Sequence, residues 1–200
     1  AVDGAEGGTG AAPLEFSDAV GTPLKGGLIF VHNALVGCNL RDRIRVAAAG
    51  KVASAFAIAR NLAIGADWCN AARSFMMSVG CIQAQACHTN RCPVGVATQD
   101  PRRYWALNVS NKANRAFHFH RNTMSALAEI VAAAGLDHPR ELGPRHICLR
   151  GEGTDIKTYD QAYRFLKPGE LLDGTDDPGF NTHWQHATPD IFRKDVTATL

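Results

Sequence analysis

Between residues 44 and 83 the apolar pattern changes period three times, and this alternation limits what the chain can build. Residues 44–48, Ile-Arg-Val-Ala-Ala, read as a short strand. Gly50 then allows a tight turn. Across 52–64 the apolar positions 52, 55, 56, 59, 62 and 63 recur at helical spacing, and Gly65 suits a helix terminus. Residues 66–71 read as a second short strand. Residues 73–83 read as another helix that carries Phe75, Met76 and Val79 up to Cys81. A helix over 26–37, with Leu28, Val31 and Leu35 on one face, precedes this unit. A long helix over 112–134, ended by Gly135 and Pro139, follows it. The fold class expected is α/β.

Residues 3–13 form a glycine-rich loop whose polar members include Glu6 and Thr9. The last fifty residues are rich in Gly, Asp and Pro. They read as an irregular extension draped over the core, with a short helix at 159–166. In a barrel of alternating strands and helices, phosphate commonly sits at the loops after the seventh and eighth strands. Backbone N–H groups at Gly50 and Lys51 suit such a contact, and Arg73 suits a cationic fork beside it. The plainer reading makes Gly50 a turn and Arg73 a solvated helix-start residue.

Three cysteines fall in one short run, Cys81-Ile-Gln-Ala-Gln-Ala-Cys87-His-Thr-Asn-Arg-Cys92-Pro93, with spacing C-x5-C-x4-C. Thiolates this close, with no nearby fourth cysteine, suit an inorganic cluster with three protein ligands. Zinc completed by His88 is a rival, although His88 adjoins Cys87 and joint ligation is awkward. Inert buried thiols are the third reading.

Composition narrows the class. The chain has 200 residues, 46% apolar and 20% charged, enough to bury a core and far from a disordered composition. A net charge of +2 argues for no nucleic-acid partner. No apolar run reaches membrane-spanning length, so no membrane role is expected. Cys38, Cys69 and Cys148 are scattered, a poor disulfide framework, and a cytoplasmic enzyme is expected. His32, His118 and His120 attract attention as acid–base groups, but packing or surface roles are expected for each.

The segment from Gly80-Cys81 through Cys87-His88-Thr89-Asn90 to Cys92-Pro93-Val94-Gly95-Val96-Ala97-Thr98-Gln99 resembles the iron–sulfur segment of the glutamate synthase FMN-binding domain. Glu6-Gly7-Gly8-Thr9-Gly10-Ala11 resembles that family's glycine-rich active-site loop, and 37–50 continues the likeness. The stand-alone FMN-binding glutamate-synthase-like proteins are the most similar subgroup. The resemblance implies the C-terminal part of a (β/α)8 TIM barrel, from the end of strand six through strand eight. It also implies an iron–sulfur loop and a helical, irregular C-terminal extension. The division expected is 1–102 for barrel and cysteine segment and 103–200 for the extension.

By the same resemblance Cys81, Cys87 and Cys92 hold a [3Fe-4S] cluster. Gly50, Lys51, Ala72 and Arg73 contact the FMN phosphate, and Glu6, Gly7, Gly8 and Thr9 face flavin and substrate. The reaction implied is reduction of 2-iminoglutarate, formed from 2-oxoglutarate and ammonia, to L-glutamate. An electron-donor protein or reductase subunit would supply electrons. Three departures stand out. Ala48-Ala49 occupy the place of Asp-Gly, Ala55 and Ala57 stand where relatives often have Gly and Asp, and Ala72 replaces a common Gly. The family's first five strands and the glutaminase domain are not in this sequence, so a truncated chain unable to hold FMN is an alternative. A same-fold flavoprotein acting on another imine or carbonyl compound is a second.

Overall fold

The computed structural model describes residues 1–7, 14–17 and 20–190. Its element order is β1 (Val2–Asp3), α1 (Leu14–Ser17), α2 (Leu24–Gly37), β2 (Ala47–Ala49), α3 (Ala55–Ala63), β3 (Trp68–Asn70) and α4 (Ala72–Ser78). There follow α5 (Pro101–Tyr104), α6 (Val109–Ala133), a β4 (Cys148–Arg150) and β5 (Ile156–Thr158) hairpin, α7 (Tyr159–Ala162), α8 (Glu170–Asp173) and α9 (Pro178–Gln185).

The first three strands form a parallel sheet in the order β1-β2-β3, with Ala48 paired to Val2 on one side and to Cys69 on the other. Parallel neighbours need a crossover connection, and α2 and α3 supply two. The sequential order without a reversal is compatible with a segment of a (β/α)8 barrel. Side chains alternate across the pleat. Val2, Ala48 and Cys69 face the helices, and Ala48 is wholly buried among them. Asp3, Trp68 and Asn70 lie on the opposite face and are exposed.

Strand β2 starts three residues later than the apolar run 44–48 suggests. Arg41 and Asp67 hold that run instead. The Asp67 carboxylate accepts from Val46 N at 2.7 Å and from Arg41 and Arg45 at 2.9 and 3.0 Å. Arg41 also donates to the carbonyls of Ile44 and Gly65 and to His32 Nδ1. Residues 44–46 are therefore spoken for before the ladder begins. Burial pushes the Asp67 carboxyl up, but the Val46 N–H and the two guanidiniums outweigh it and hold it below the usual carboxylate range.

Three helices end in the same way, with a left-handed glycine just past the last turn. At Gly65, Gly80 and Gly135 the glycine N–H returns to the carbonyl three residues back, and the next N–H to the carbonyl five back. Gly80 thus stops α4 at Ser78, well short of residue 83. The C-terminal half is not loosely attached. Leu127, Val131, Leu142, Ile147 and Tyr159 join Leu28, Ala59 and Ile64 in one core. Asn33, 1% exposed, donates to Arg164 O and accepts from Leu166 N, both at 2.9 Å, pinning a segment more than 130 residues away. Ring stacking of Phe30 on Phe180, centroids 5.2 Å apart, seats α9 on α2. Among the described residues, no helix is long and apolar enough to cross a membrane.

Replacing Asn33 by Ala leaves two backbone groups unsatisfied and is expected to cost about 2–3 kcal/mol, read as a lowered urea midpoint. His32 gives a pH signature. Burial, aided by Arg41 and opposed by Asp67, lowers its pKa from 6.5 to about 4. The unfolded chain therefore takes up a proton first as pH falls. Stability is full above pH 6.5 and declines towards pH 4, by at most on the order of 3 kcal/mol. Urea midpoints measured across that window should flatten in His32→Gln.

Candidate flavin and iron–sulfur face

The loops that leave the carboxyl ends of β1, β2 and β3 meet at one end of the sheet. Gly4 N donates to Ala49 O at 2.8 Å, which joins the first loop to β2. A Cβ at Gly7 would stand 2.9 Å from Gly50 Cα, and one at Gly50 would stand 3.3 Å from the Leu24 side chain. Gly50 has φ +142 and Lys51 φ +45. Both residues turn the chain sharply just past β2, and close approach as well as backbone angle requires the glycine.

Ala72 opens α4, and Ala71 before it offers no side-chain cap. The N-cap side chain thus satisfies none of the first N–H groups of α4. Ser74, 5% exposed, holds α4 to the Gly50 turn through a hydroxyl 3.1 Å from Val52 O. Arg73 reaches across and donates to Gly7 O at 3.3 Å. Gly7, Gly50, Lys51, Ala72 and Arg73 are therefore gathered on one face. Glu6 is used locally, because its carboxylate accepts from Leu24 N at 2.8 Å and so caps α2, whose own N-cap is Pro23. Gly8 and Thr9 lie outside the described residues.

At the other end of α4 the chain passes through Gly80 directly into Cys81. The thiols of Cys81, Cys87 and Cys92 line one small cavity, closed to about 10 Å³, with Met76, Val94 and Ala97 in its wall. Cys92 is buried, and burial pushes its thiol up. Four backbone N–H groups, of Ala97, Val94, Val96 and Gly95, more than offset this and bring it below its ordinary value. A ring of amides around sulfur favours thiolate, the form that ligates metal. The scattered thiols behave differently, since burial raises Cys38 and Cys69. Among the described residues, no three His, Cys, Asp or Glu side chains are grouped as a single metal ion would need. His88 is exposed.

Backbone conformation marks the same two segments. Five non-glycine residues among those described have left-handed φ, and four are Lys51, Gln83, Gln85 and Asn90. Such angles persist only where surrounding structure enforces them. Asn90 is held by its own side chain, which accepts from Gln99 N at 2.7 Å and from the Thr98 hydroxyl at 2.9 Å. The amides around Cys92 and the Asn90 clamp were missed in the sequence, although Val94-Gly95 directly after Cys-Pro was the available signal.

The histidines fill packing and surface positions. His32 lies against Gly65 and Phe165. His118 pairs with Arg121 at 3.2 Å, and His120 lies beside the Phe75 ring. A separate cavity of about 300 Å³ sits behind α4, lined mainly by apolar groups such as Ile58, Leu62, Phe75 and Phe119. Val52, Ala53 and Ala71, from the loops after β2 and β3, also line it.

Residues 1–137 match the family described as the conserved region in glutamate synthase. The glutamate synthase large subunit-like protein YerD of Bacillus subtilis is 42% identical over 159 residues, 80% of this chain and 30% of the relative. An archaeal-type glutamate synthase (NADPH) of Thermotoga maritima is 30% identical over 167 residues, 84% of this chain and 32% of the relative. A ferredoxin-dependent glutamate synthase 2 of Synechocystis sp. is 34% identical over 137 residues, 68% of this chain and 9% of the relative. The chain thus spans about a third or less of each relative's length. With the match running from β1 through α6, and so across the whole loop face and the cysteine run, the chain belongs to the glutamate synthase family.

Proposed function

We propose that this chain is the carboxyl-terminal part of a flavin- and iron–sulfur-dependent oxidoreductase that reduces 2-iminoglutarate to L-glutamate. The three parallel strands correspond in this reading to strands six to eight of a (β/α)8 barrel. Residues 1–102 then carry the cofactor face, and 103–200 the covering extension. The bare sheet face with Asp3, Trp68 and Asn70 is the one a closed barrel would turn inward.

The observation that carries the reading is α4. Its uncapped amino end stands at the Gly50 turn, and its other end delivers Cys81. Seven residues of helix rise about 10 Å, so an anion at one end and a cluster at the other would be neighbours. The residues present fit FMN at its phosphate end. Gly50 and Lys51 would offer backbone N–H groups, Ala72 the helix start, and Arg73 a positive charge. Arg73 would exchange its contact with Gly7 O for the phosphate.

The donor set also fits a [3Fe-4S] cluster, with Cys81, Cys87 and Cys92 as ligands and the amides of 94–97 bonded to the Cys92 sulfur. When bound, FMN supplies hydride chemistry and the cluster carries electrons. The protein groups position both, shield them and set their charge environment. Electrons come from a donor protein or reductase subunit. The ferredoxin-dependent and NADPH names of the relatives show that family members differ in this donor.

Anaerobic purification followed by absorption and electron paramagnetic resonance spectroscopy tests the reading. A flavin band and a three-iron signal are expected; absence of both overturns the cofactor assignment. Cys87→Ser should abolish the three-iron signal, whereas Cys148→Ser should leave it intact. Arg73→Ala should weaken FMN binding roughly tenfold, as measured by quenching of flavin fluorescence on titration. A glutamate-forming assay on the protein that carries the remaining strands separates the synthase from a flavoprotein acting on another imine or carbonyl.

A further inference from the structure

The sulfurs of the cysteine loop are not equally supplied with hydrogen bonds. The Cys81 sulfur accepts one backbone N–H, that of Gln83, at 3.4 Å. The Cys92 sulfur draws four, those of Val94, Gly95, Val96 and Ala97. Four successive amides turned to one atom form a nest. A free loop does not keep such a nest, because each N–H would otherwise turn to water. Residues 94–97 therefore need to be held, and the segment is fastened at its base and at its tip.

At the base, Asn90 ends the short helical turn Cys87–Thr89 with φ +60 and ψ +17, a left-handed conformation that asparagine tolerates better than most residues. From there its Oδ1 accepts from Gln99 N at 2.7 Å. The Thr98 hydroxyl sits 2.7 Å from Asn90 O and 2.9 Å from Asn90 Oδ1, and it accepts from Asp100 N at 3.1 Å. Residue 90 is thus tied to 98 and 99, with Cys92 and its amides inside the circuit. At the tip, Gly95 is buried and has φ +79. A Cβ there would stand 2.5 Å from Arg103 O and 2.9 Å from Tyr104 Cα, so the loop backs directly onto α5. Asn90 is exposed, and neither Asn90 nor Thr98 belongs to the hydrophobic core. Their bonds serve the loop rather than the fold.

Resting on the cluster reading proposed above, we infer that Asn90 and Thr98 are positioning residues for the iron–sulfur centre: they hold the amides of 94–97 against the Cys92 sulfur and so set how readily the bound cluster is reduced. Hydrogen bonds to a ligand sulfur draw charge from it and raise the reduction potential of the metal it binds. Opening the circuit frees the amides, leaves more charge on the Cys92 sulfur and lowers the potential.

Thr98→Val removes the hydroxyl at nearly constant shape, Thr98→Ser keeps it, and Asn90→Ala removes the carboxamide. Redox titration of the anaerobically purified protein, followed by its three-iron electron paramagnetic resonance signal, tests the clamp. Thr98→Val and Asn90→Ala should be reduced with a roughly tenfold smaller equilibrium constant, about 59 mV lower for one electron, and Thr98→Ser should match the wild type. Loss of the cluster from Thr98→Val but not from Thr98→Ser supports the assignment equally. Amide hydrogen exchange, read by mass spectrometry on the thiol-reduced, metal-free chain, should be at least tenfold faster over 94–97 in Thr98→Val than in the wild type or Thr98→Ser, with circular dichroism unchanged. A potential unmoved by both Thr98→Val and Asn90→Ala, or exchange at the same rate in every chain, overturns the assignment. So does a lowered melting temperature with potential and exchange unchanged, since a merely structural tie would do that. The exchange measurement needs no cluster. A missing three-iron signal in the wild type therefore counts against the cofactor reading, and unaltered exchange against the clamp.

Discussion

The Asp67 carboxylate governs how the two halves of the sheet meet. It takes the Val46 N–H and two guanidiniums just before β2 and β3 begin. Strands of two or three residues have little ladder of their own to resist slipping. A one-residue slip would turn Ala48 out of the core and place Ala47 or Ala49 under the helices. With Asp67 fixed at the amino ends, Ala49 and Asn70 finish level, and the loops that follow them emerge side by side. Arg41 extends the same clamp to the ends of α2 and α3 through His32 and the Gly65 carbonyl. Losing one partner of this part-buried pair costs about 1–3 kcal/mol, largely from the polar group left behind. The stabilising end of the sheet and the chemically equipped end are thus opposite ends.

At the equipped end, α4 converts sheet geometry into a relation between the Gly50 turn and the cysteine loop. Ser74 fixes it laterally to Val52, and Phe75 anchors it against Phe119 of α6, ring centroids 5.1 Å apart. Neither contact uses the helix termini. Both termini are therefore available, one uncapped and one closed by Gly80 in a way that aims the chain towards Cys81. A short helix held by its middle is a rigid spacer. The positions of the Gly50 turn and the cysteine loop then follow from packing on α3 and α6 rather than from the loops themselves.

Much of this was legible in the residues. Apolar periodicity located α2 and α3, because apolar positions recur every three or four residues, and Gly135 with Pro139 located the end of α6. Gly65 and Gly135 marked two helix ends correctly. Gly80 was the same signal, but the apolar Val79 and Ile82 on either side masked it and prolonged the helix on paper to 83. Strand β2 was displaced because Ile44 and Val46 have strand propensity, whereas side chains distant in sequence claim their backbone. No local pattern could reveal that Asp67 would do so. The β4–β5 hairpin escaped notice because each strand is three residues long and lacks alternation of apolar side chains. The Glu6 carboxylate caps α2, which Pro23 cannot do with a side chain, and no local pattern in the sequence points to that contact.

The placement of strained backbone completes the argument. A left-handed angle at a residue with a side chain costs about 1–2 kcal/mol, less for asparagine. Lys51, Gln83, Gln85 and Asn90 incur this cost in segments that contribute almost nothing to the core. The compensation lies elsewhere, in Asn33, in the Asp67 clamp and in α6 laid across α3 and α4. Stability is thus concentrated where the helices cover the sheet, and strain where the loops leave it. Relaxing Gln83 and Gln85 to ordinary angles would redirect the chain between Cys81 and Cys87 and break the shared cavity. Strain in that loop accompanies the path that brings Cys81, Cys87 and Cys92 to the wall of one small cavity.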